Sequence, residues 1–411
     1  LRPFRIGQIQ ILYEAARGRH YFAVFKGFHV VLALAAFALF VFVLRVRTRA
    51  DFFAATFALT VFTGIHTFVG TVWEAYPINH FLEIGVFCLG ALALAQSRGG
   101  WWSDLGACLL LLVAALTLES GLLVWVVAVV AWLTGLRGIS RRAVVVMTLL
   151  VAGYFVLRFG VLDTGAPSLA ERSSTFGTER LKPEELIAKF GSRPHVFYAY
   201  NVASSGLSVL ASEPRAGRWT IAQELRDRHT LFEGTALNVV TSLATTALIV
   251  LYATRRWRDW RRRRFEWPDQ IVLVTVAVIG ANALISFGYT KDEIMSVAGI
   301  FYALAAYVAT RDLVHRVPFR SRRLRAVLAL VILVVAVGWA LRSAGLHYNM
   351  RLMAFRVRND WVNVERWLEL QHASPSTPAG TRLVAYLRED ALNRSVTNPF
   401  FFPQWVPRWI R

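Results

Sequence analysis

Acids, imidazoles and amines are rare inside the long apolar stretches of this chain, and those that occur are unevenly spread. Lys26 and His29 fall near the start of one stretch, and His66 in the second half of the next. Glu74, His80 and Glu83 border the short gap that follows. Glu119 marks a tight turn, and Lys291, Asp292 and Glu293 share a later junction. Such side chains exchange protons, orient hydroxyl groups and hold anions. A charge in hydrocarbon is expensive, so this placement marks either a site or a group that the fold must satisfy internally. The other halves of the same stretches are nearly free of acid. Four or five helices are therefore expected to carry polar groups to one level.

Each residue also has a plainer role. A lone membrane histidine such as His66 commonly packs and hydrogen-bonds. Lys26 can snorkel to headgroups. Trp73, Tyr76, Trp101 and Trp102 suit an interfacial aromatic belt. Glu119 divides between capping the helix that follows and contacting a ligand or substrate.

The elements that position these residues follow from where the arginines fall. The chain has 411 residues, 56% of them apolar, and a formal charge of +20. Every second gap between apolar stretches is basic: Arg45, Arg47 and Arg49, then Arg98, then Arg137, Arg141 and Arg142. The strongest follow at Arg255–Arg264 (RRWRDWRRRR) and Arg311–Arg325 (RDLVHRVPFRSRRLR). Basic residues flanking membrane spans stay cytoplasmic. The pattern predicts an all-α polytopic protein with about ten spans, at 24–44, 52–71, 78–95, 104–118, 120–136, 143–162, 235–253, 269–289, 293–310 and 326–342. Both chain ends and the polar level then lie outside the cytoplasm. The positive surplus is explained by attraction to anionic membrane lipid, and nucleic acid is not an expected partner.

Two domains are expected, a membrane domain over 1–342 and an extracytoplasmic α/β tail over 343–411. The longest interruption, 163–234, is extracytoplasmic and carries nine basic and nine acidic residues from Leu162 to Gly234. Within it His195–Leu210 (HVFYAYNVASSGLSVL) is apolar but short, which predicts an interfacial or re-entrant helix. In the tail, Asn359–Gln371 sets Trp361, Val364, Trp367 and Leu368 on one helical face, and Thr381–Leu387 alternates like a strand. Cys88 and Cys108 both fall in spans, with neither a disulfide framework nor zinc spacing. An extracytoplasmic start at Leu1, without a signal region, leads to the expectation of a further span upstream.

Several segments resemble the membrane-embedded C-type glycosyltransferases, in the branch of the protein O-mannosyltransferases and the transmembrane-and-tetratricopeptide mannosyltransferases. Leu1-Arg2-Pro3-Phe4 is similar to that branch's Arg-Pro element, and Gly18 through Phe40 to its Phe-His entry, with Phe28-His29 at those positions. Gly64-Ile65-His66 with Trp73-Glu74 resembles its apolar-His element and Trp-containing loop. Thr117-Leu118-Glu119 resembles its Ser-Lys-Glu turn, with leucine replacing the lysine. Tyr289–Tyr302 falls at its charged outer junction. The likeness runs from Leu1 to Ala309, and no tetratricopeptide array follows.

The resemblance implies transfer of a sugar from a polyprenyl-phosphate carrier to a protein, glycan or lipid acceptor on the extracytoplasmic side. Arg2, His29 and Lys291 would then contact the phosphate, Glu74 and Glu119 would orient hydroxyls, and His66 would complete the donor site. The catalytic Asp of that family would lie upstream of Leu1. No nucleotide is called for, and a divalent metal is the one cofactor the phosphate would accommodate. The expected home is a bacterial plasma membrane, with the active site extracytoplasmic and an endoplasmic reticulum as the alternative. A polytopic acyltransferase, a polysaccharide polymerase or ligase, a transporter and a noncatalytic scaffold remain as alternatives.

Overall fold

The computed structural model describes residues 2–17, 20–72, 78–163, 168–228, 230, 233–316, 322–370 and positions 378, 381, 382, 385 and 389. The chain divides into two units, Leu1–Ala344 and Gly345–Arg411.

The first unit is a helical bundle. In chain order it contains α1 (Pro3–Ala15), α2 (Tyr21–Leu44), α3 (Arg49–Gly64), α4 (Val69–Val72), α5 (His80–Ala95), α6 (Trp101–Thr117), α7 (Leu123–Leu133) and α8 (Arg141–Phe155). A hairpin follows, β1 (Ser174–Phe176) with β2 (Glu179–Leu181), then α9 (Pro183–Phe190), α10 (Pro194–Ala211) and α11 (Thr220–Arg228). The long helices α12 (Glu233–Arg261), α13 (Trp267–Ile285) and α14 (Ser296–Arg316) follow, and α15 (Arg322–Leu370) begins in this unit and ends in the second.

Six helical segments are long and apolar enough to cross a membrane: Ala23–Leu44, Arg141–Val161, Gly234–Arg261, Trp267–Gly288, Glu293–His315 and Ala329–Arg351. A seventh forms if Arg49–Gly64 and His66–Val72, bent by 67°, count as one span. His80–Ala95, Trp101–Thr117 and Glu119–Leu133 are apolar but shorter. The fold is thus that of an all-α membrane protein, with at least six helices of spanning length among the described residues.

Local chemistry sets the helix starts. Thr48 and Asp51 form a reciprocal capping box at α3, Asn79 caps α5 through Leu82 N–H at 2.9 Å, and Ser140 caps α8. At α13 the Asp269 carboxylate accepts from Glu266 N–H at 2.8 Å. Arg45, in the left-handed region at φ 52°, ends α2.

Helix α14 is the centre of the bundle. Every residue from Val297 to Ala309 outside Gly299 is at most 2% exposed, with α3 and α13 packed closest. Small residues make that possible: a Cβ on Gly299 would meet Thr67 Oγ1 at 2.1 Å. Lipid offers apolar helices no hydrophobic drive to associate, so close packing and interhelical hydrogen bonds must hold them. Large apolar side chains instead face outward, among them Leu34, Leu149, Val240 and Leu333, each more than half exposed.

One sequence expectation changes and two gain detail. The helix expected around His195–Leu210 forms as α10, but the face it buries is polar and small: Asn201, Ser204, Ser205 and Ser208 beside Phe197. It packs on α12, α13 and α14, and Asn201 donates to the Phe287 carbonyl at 2.9 Å. In the tail, the described positions of the expected strand, Thr381, Arg382 and Ala385, are helical, so the α/β assignment does not hold there. Trp361, Val364, Trp367 and Leu368 lie on the helical backbone of α15, but their side chains fall outside the described set. Finally, the arginine-rich end carries acids at its helix starts. Asp51 and Asp269 are fully buried there, the first bonded by Arg311 at 2.5 Å and the second by Arg256 at 2.8 Å.

Candidate functional site

The helices alternate in direction, so the starts of α2, α5, α12 and α14 and the ends of α3, α6, α8 and α13 share the end opposite the arginines. Three polar groups assemble at that level.

The first is built on Glu119. Arg2 Nη2 reaches Glu119 Oε2 at 3.0 Å, and Arg158 Nη2 reaches Glu119 Oε1 at 3.2 Å. Arg158 also donates to the Tyr154 hydroxyl at 2.7 Å. The carboxylate thus spends both oxygens on arginines from elements 117 and 39 residues away in sequence. The turn itself is tight, since a Cβ on Gly121 would meet the Ala114 carbonyl at 2.1 Å. Glycine lets the turn lie against α6 and presents Glu119 to α1 and α8. Arg2, Glu119 and Arg158 are 39%, 29% and 24% exposed, so water or a ligand can reach them. Two guanidiniums on one carboxylate leave a net positive charge in a forked donor geometry suited to a phosphate.

The second group surrounds Glu83. Gln8 of α1 donates to its carboxylate, and His80 Nδ1 lies 3.3 Å from it. One residue earlier, the Asn79 backbone N–H donates to His29 Nε2 at 2.8 Å, which makes that nitrogen the acceptor. His29 is therefore held in the neutral tautomer with Nδ1 protonated. Helix α1 connects the two groups, carrying Arg2 to one and Gln8 to the other.

The third group is buried where segment 168–228 meets the bundle. Arg215 Nη2 and Nε bond Asp292 Oδ2 at 2.6 and 2.8 Å, and Ala216 N–H donates to Oδ1 at 2.9 Å. His66 Nε2 stands 3.7 Å from the same carboxylate. Burial alone would push the Asp292 carboxyl up, but Arg215, His66 and these hydrogen bonds hold it at about 2. Deeper in, Arg342 donates to the Asn238 carbonyl and to Thr241, Ser242 and Ser212 hydroxyls at 2.7–2.9 Å. Its guanidinium lies 3.9 Å from the Trp339 ring centroid. Among the described residues it meets no carboxylate, so hydroxyl dipoles and a ring face carry its charge. Nearby, burial pushes the Glu213 carboxyl up to about 7, despite its hydrogen bonds from Thr220.

The expected set therefore divides. Arg2 and Glu119 are paired directly. His29 belongs to the neighbouring Glu83 group, and His66 to the Asp292 group, where it is 3% exposed. Lys291 is partly buried and precedes Asp292, the residue that engages Arg215 and His66. Glu74, Trp73 and Tyr76 lie outside the described residues. Lys26 is exposed, as snorkelling requires. Among the described residues no group of three or more His, Cys, Asp or Glu side chains is arranged to hold a metal ion.

Sequence reasoning passed over Arg158, Arg215 and Arg342. Arg158 carried a usable signal, an arginine within a span of 143–162. Arg342, as the last residue of 326–342, passed for a flank, and Arg215 is one of many charges in a neutral segment. Compared with protein-family models, curated proteins and solved structures, the chain gives no match.

Proposed function

We propose that the protein is an integral membrane glycosyltransferase that moves a sugar from a polyprenyl-phosphate carrier to an acceptor on the extracytoplasmic side. The observation that carries this reading is the convergence of Arg2 and Arg158 on Glu119, partly exposed at the level opposite the basic loops. A lipid-linked donor places its phosphate at the membrane boundary, where two guanidiniums can offset charge developing on the leaving oxygen. Glu119 holds both arginines in place, and Gln8, Glu83 and His80 supply hydrogen-bonding capacity for a sugar alongside. The resemblance to the C-type mannosyltransferases supports the same assignment. No residue of this chain is assigned as the base.

The reading includes the finer topology. The three shorter apolar helices and the bent α3–α4 pair cross the membrane with the six longer segments, ten crossings in all. The arginine-rich end is cytoplasmic. Ser192→Cys, in the exposed turn before α10, should label with an impermeant maleimide in intact cells. Labelling only after permeabilisation would reverse the orientation.

The activity is tested with the chain as its gene encodes it, reconstituted with radiolabelled polyprenyl-phosphate mannose or glucose. Arg158→Ala should raise the KM for the donor about tenfold or more, the loss of a charge-assisted hydrogen bond. Absence of sugar release or transfer with both donors, or an unchanged KM in Arg158→Ala, would remove the assignment.

A further inference from the structure

The proposed activity makes no use of the arginine-rich end, yet two adjoining cavities are built into it. One, of about 570 Å³, lies between the end of α2 and the end of α5 and is lined by Val41, Phe42, Val46 and Ala93 below and Arg45, Arg47, Gln96 and Ser97 above. The second, of about 350 Å³, shares Arg45 and Arg47 and continues to Trp267, Pro268, Glu266 and Arg311. The apolar walls belong to spanning helix ends. Val41 and Phe42 are 43% and 67% exposed, so the first cavity opens sideways to the lipid.

Its charges differ from those around it. Arg255, Arg256 and Arg311 pair with Asp312, Asp269 and Asp51. Glu266, on the far wall, pairs with Arg256 at 3.2 Å. Among the described residues Arg45 and Arg47 form no ion pair, and burial first, then neighbouring Arg47, disfavours the Arg45 charge. Arg45 is held in place: its Nε and Nη2 donate to the Gln96 side-chain and backbone oxygens at 2.9 and 3.0 Å, and its guanidinium lies 5.6 Å from the Trp267 ring centroid. A fixed guanidinium with a second, exposed one beside it, neither in an ion pair among the described residues, above an apolar trough open to the bilayer lacks only an anion with a hydrocarbon tail.

We propose that this trough is a binding site for an anionic phospholipid, its phosphate on Arg45 and Arg47 and an acyl chain along Val41, Phe42 and Ala93. Neighbouring Gln96 and Ser97 offer polar contacts to the rest of the headgroup. A free phosphate would use the arginines alone, whereas the lipid needs both halves of the trough.

The test is retention of added phosphatidylglycerol, against phosphatidylcholine, by the full chain in native mass spectrometry from detergent. The wild type should keep phosphatidylglycerol preferentially. Arg47→Gln, at an exposed side chain, should weaken retention about fivefold, and Arg45→Gln/Arg47→Gln by more than tenfold. Ala93→Trp, which fills the trough and keeps both arginines, should weaken it comparably. Arg141→Gln/Arg142→Gln removes equal charge from exposed positions at the same end and should change retention less than twofold. Equal losses from the two arginine pairs would reduce the site to diffuse surface charge and overturn the proposal. So would equal retention of the two lipids, or an unaffected Ala93→Trp protein. Binding that survives Ala93→Trp and is displaced by inorganic phosphate would assign the arginines to a free anion instead.

Discussion

The two ends of the bundle use the same residue types for different purposes. At the arginine-rich end, Asp51 and Asp269 sit in the first turns of α3 and α13, each bonded to backbone N–H groups of its own helix start and to an arginine. Asp269 also takes the Tyr252 hydroxyl at 2.6 Å. Such carboxylates close helix N-termini, where the macrodipole favours negative charge. At the opposite end the ion pairs serve mainly to join separate elements. Glu119 and Asp292 join elements far apart in sequence, and among the described residues Arg342 meets no carboxylate. A fully matched charge is a structural part. A partly exposed charge, or one matched only by dipoles, has electrostatic capacity to spare for a ligand.

The contrast can be broken by substitution. Asp269→Ala should have the largest effect, about 3 kcal/mol, because it removes a cap and leaves Tyr252 and Arg256 short of a buried acceptor. Chemical unfolding in detergent should show one cooperative transition displaced by that amount. An unchanged midpoint would mean that the inner aspartates are not structural. Asp292→Asn should cost less, about 2 kcal/mol, and act locally. It weakens the hold of Arg215, so amide exchange should rise across 168–228 while the core of α14 stays protected. Faster exchange spread evenly over the bundle would deny that this contact is a local clasp.

A pH series sharpens the same boundary. Glu213 has its proton affinity raised from 4.5 to about 7, so the folded state binds a proton that the unfolded chain releases. Its contribution to stability is full below 4.5 and is lost as pH rises through about 7. Asp292 has the opposite sign, with stability present above 3.8 and lost only as pH falls through about 2. Thermal midpoints should therefore fall from pH 5 to pH 8 more steeply in the wild type than in Glu213→Gln. Parallel curves would show that Glu213 does not titrate in that window. The smallest structural effect belongs to Glu119→Gln. Its arginines are partly exposed, so stability should change by less than about 1 kcal/mol. Donor turnover should fall much further, and a protein that loses abundance while keeping its specific activity would return Glu119 to a structural role.

Much of the bundle was legible because lipid imposes one-dimensional rules. Apolar runs of spanning length have to be helices, and arginines mark one end of each pair, so the candidate helices and their alternation follow from the chain read in order. The polar level at the opposite end followed from the same count, as did the turn at Glu119 and the placement of His66 in the second half of its stretch. The hairpin at Ser174–Leu181 did not, because three-residue strands have too short a period to register. Nor did the polar face of α10, since serines that let helices pack closely look in sequence like serines that face water.

What the amino-acid sequence determined by itself is which residues share an end of the bundle, because hydropathy delimits each apolar helix and the arginines mark alternate gaps independently of what packs beside them. Which of those residues touch was decided only by the tertiary structure. Sharing an end leaves the rotation and order of the helices around the bundle open. Those are set by packing against α14 and by which buried charge finds which partner. That is why Arg2 and Glu119 meet, why Asp292 rather than Lys291 receives His66 and Arg215, and why Arg158 and Arg342 count among the charges that matter.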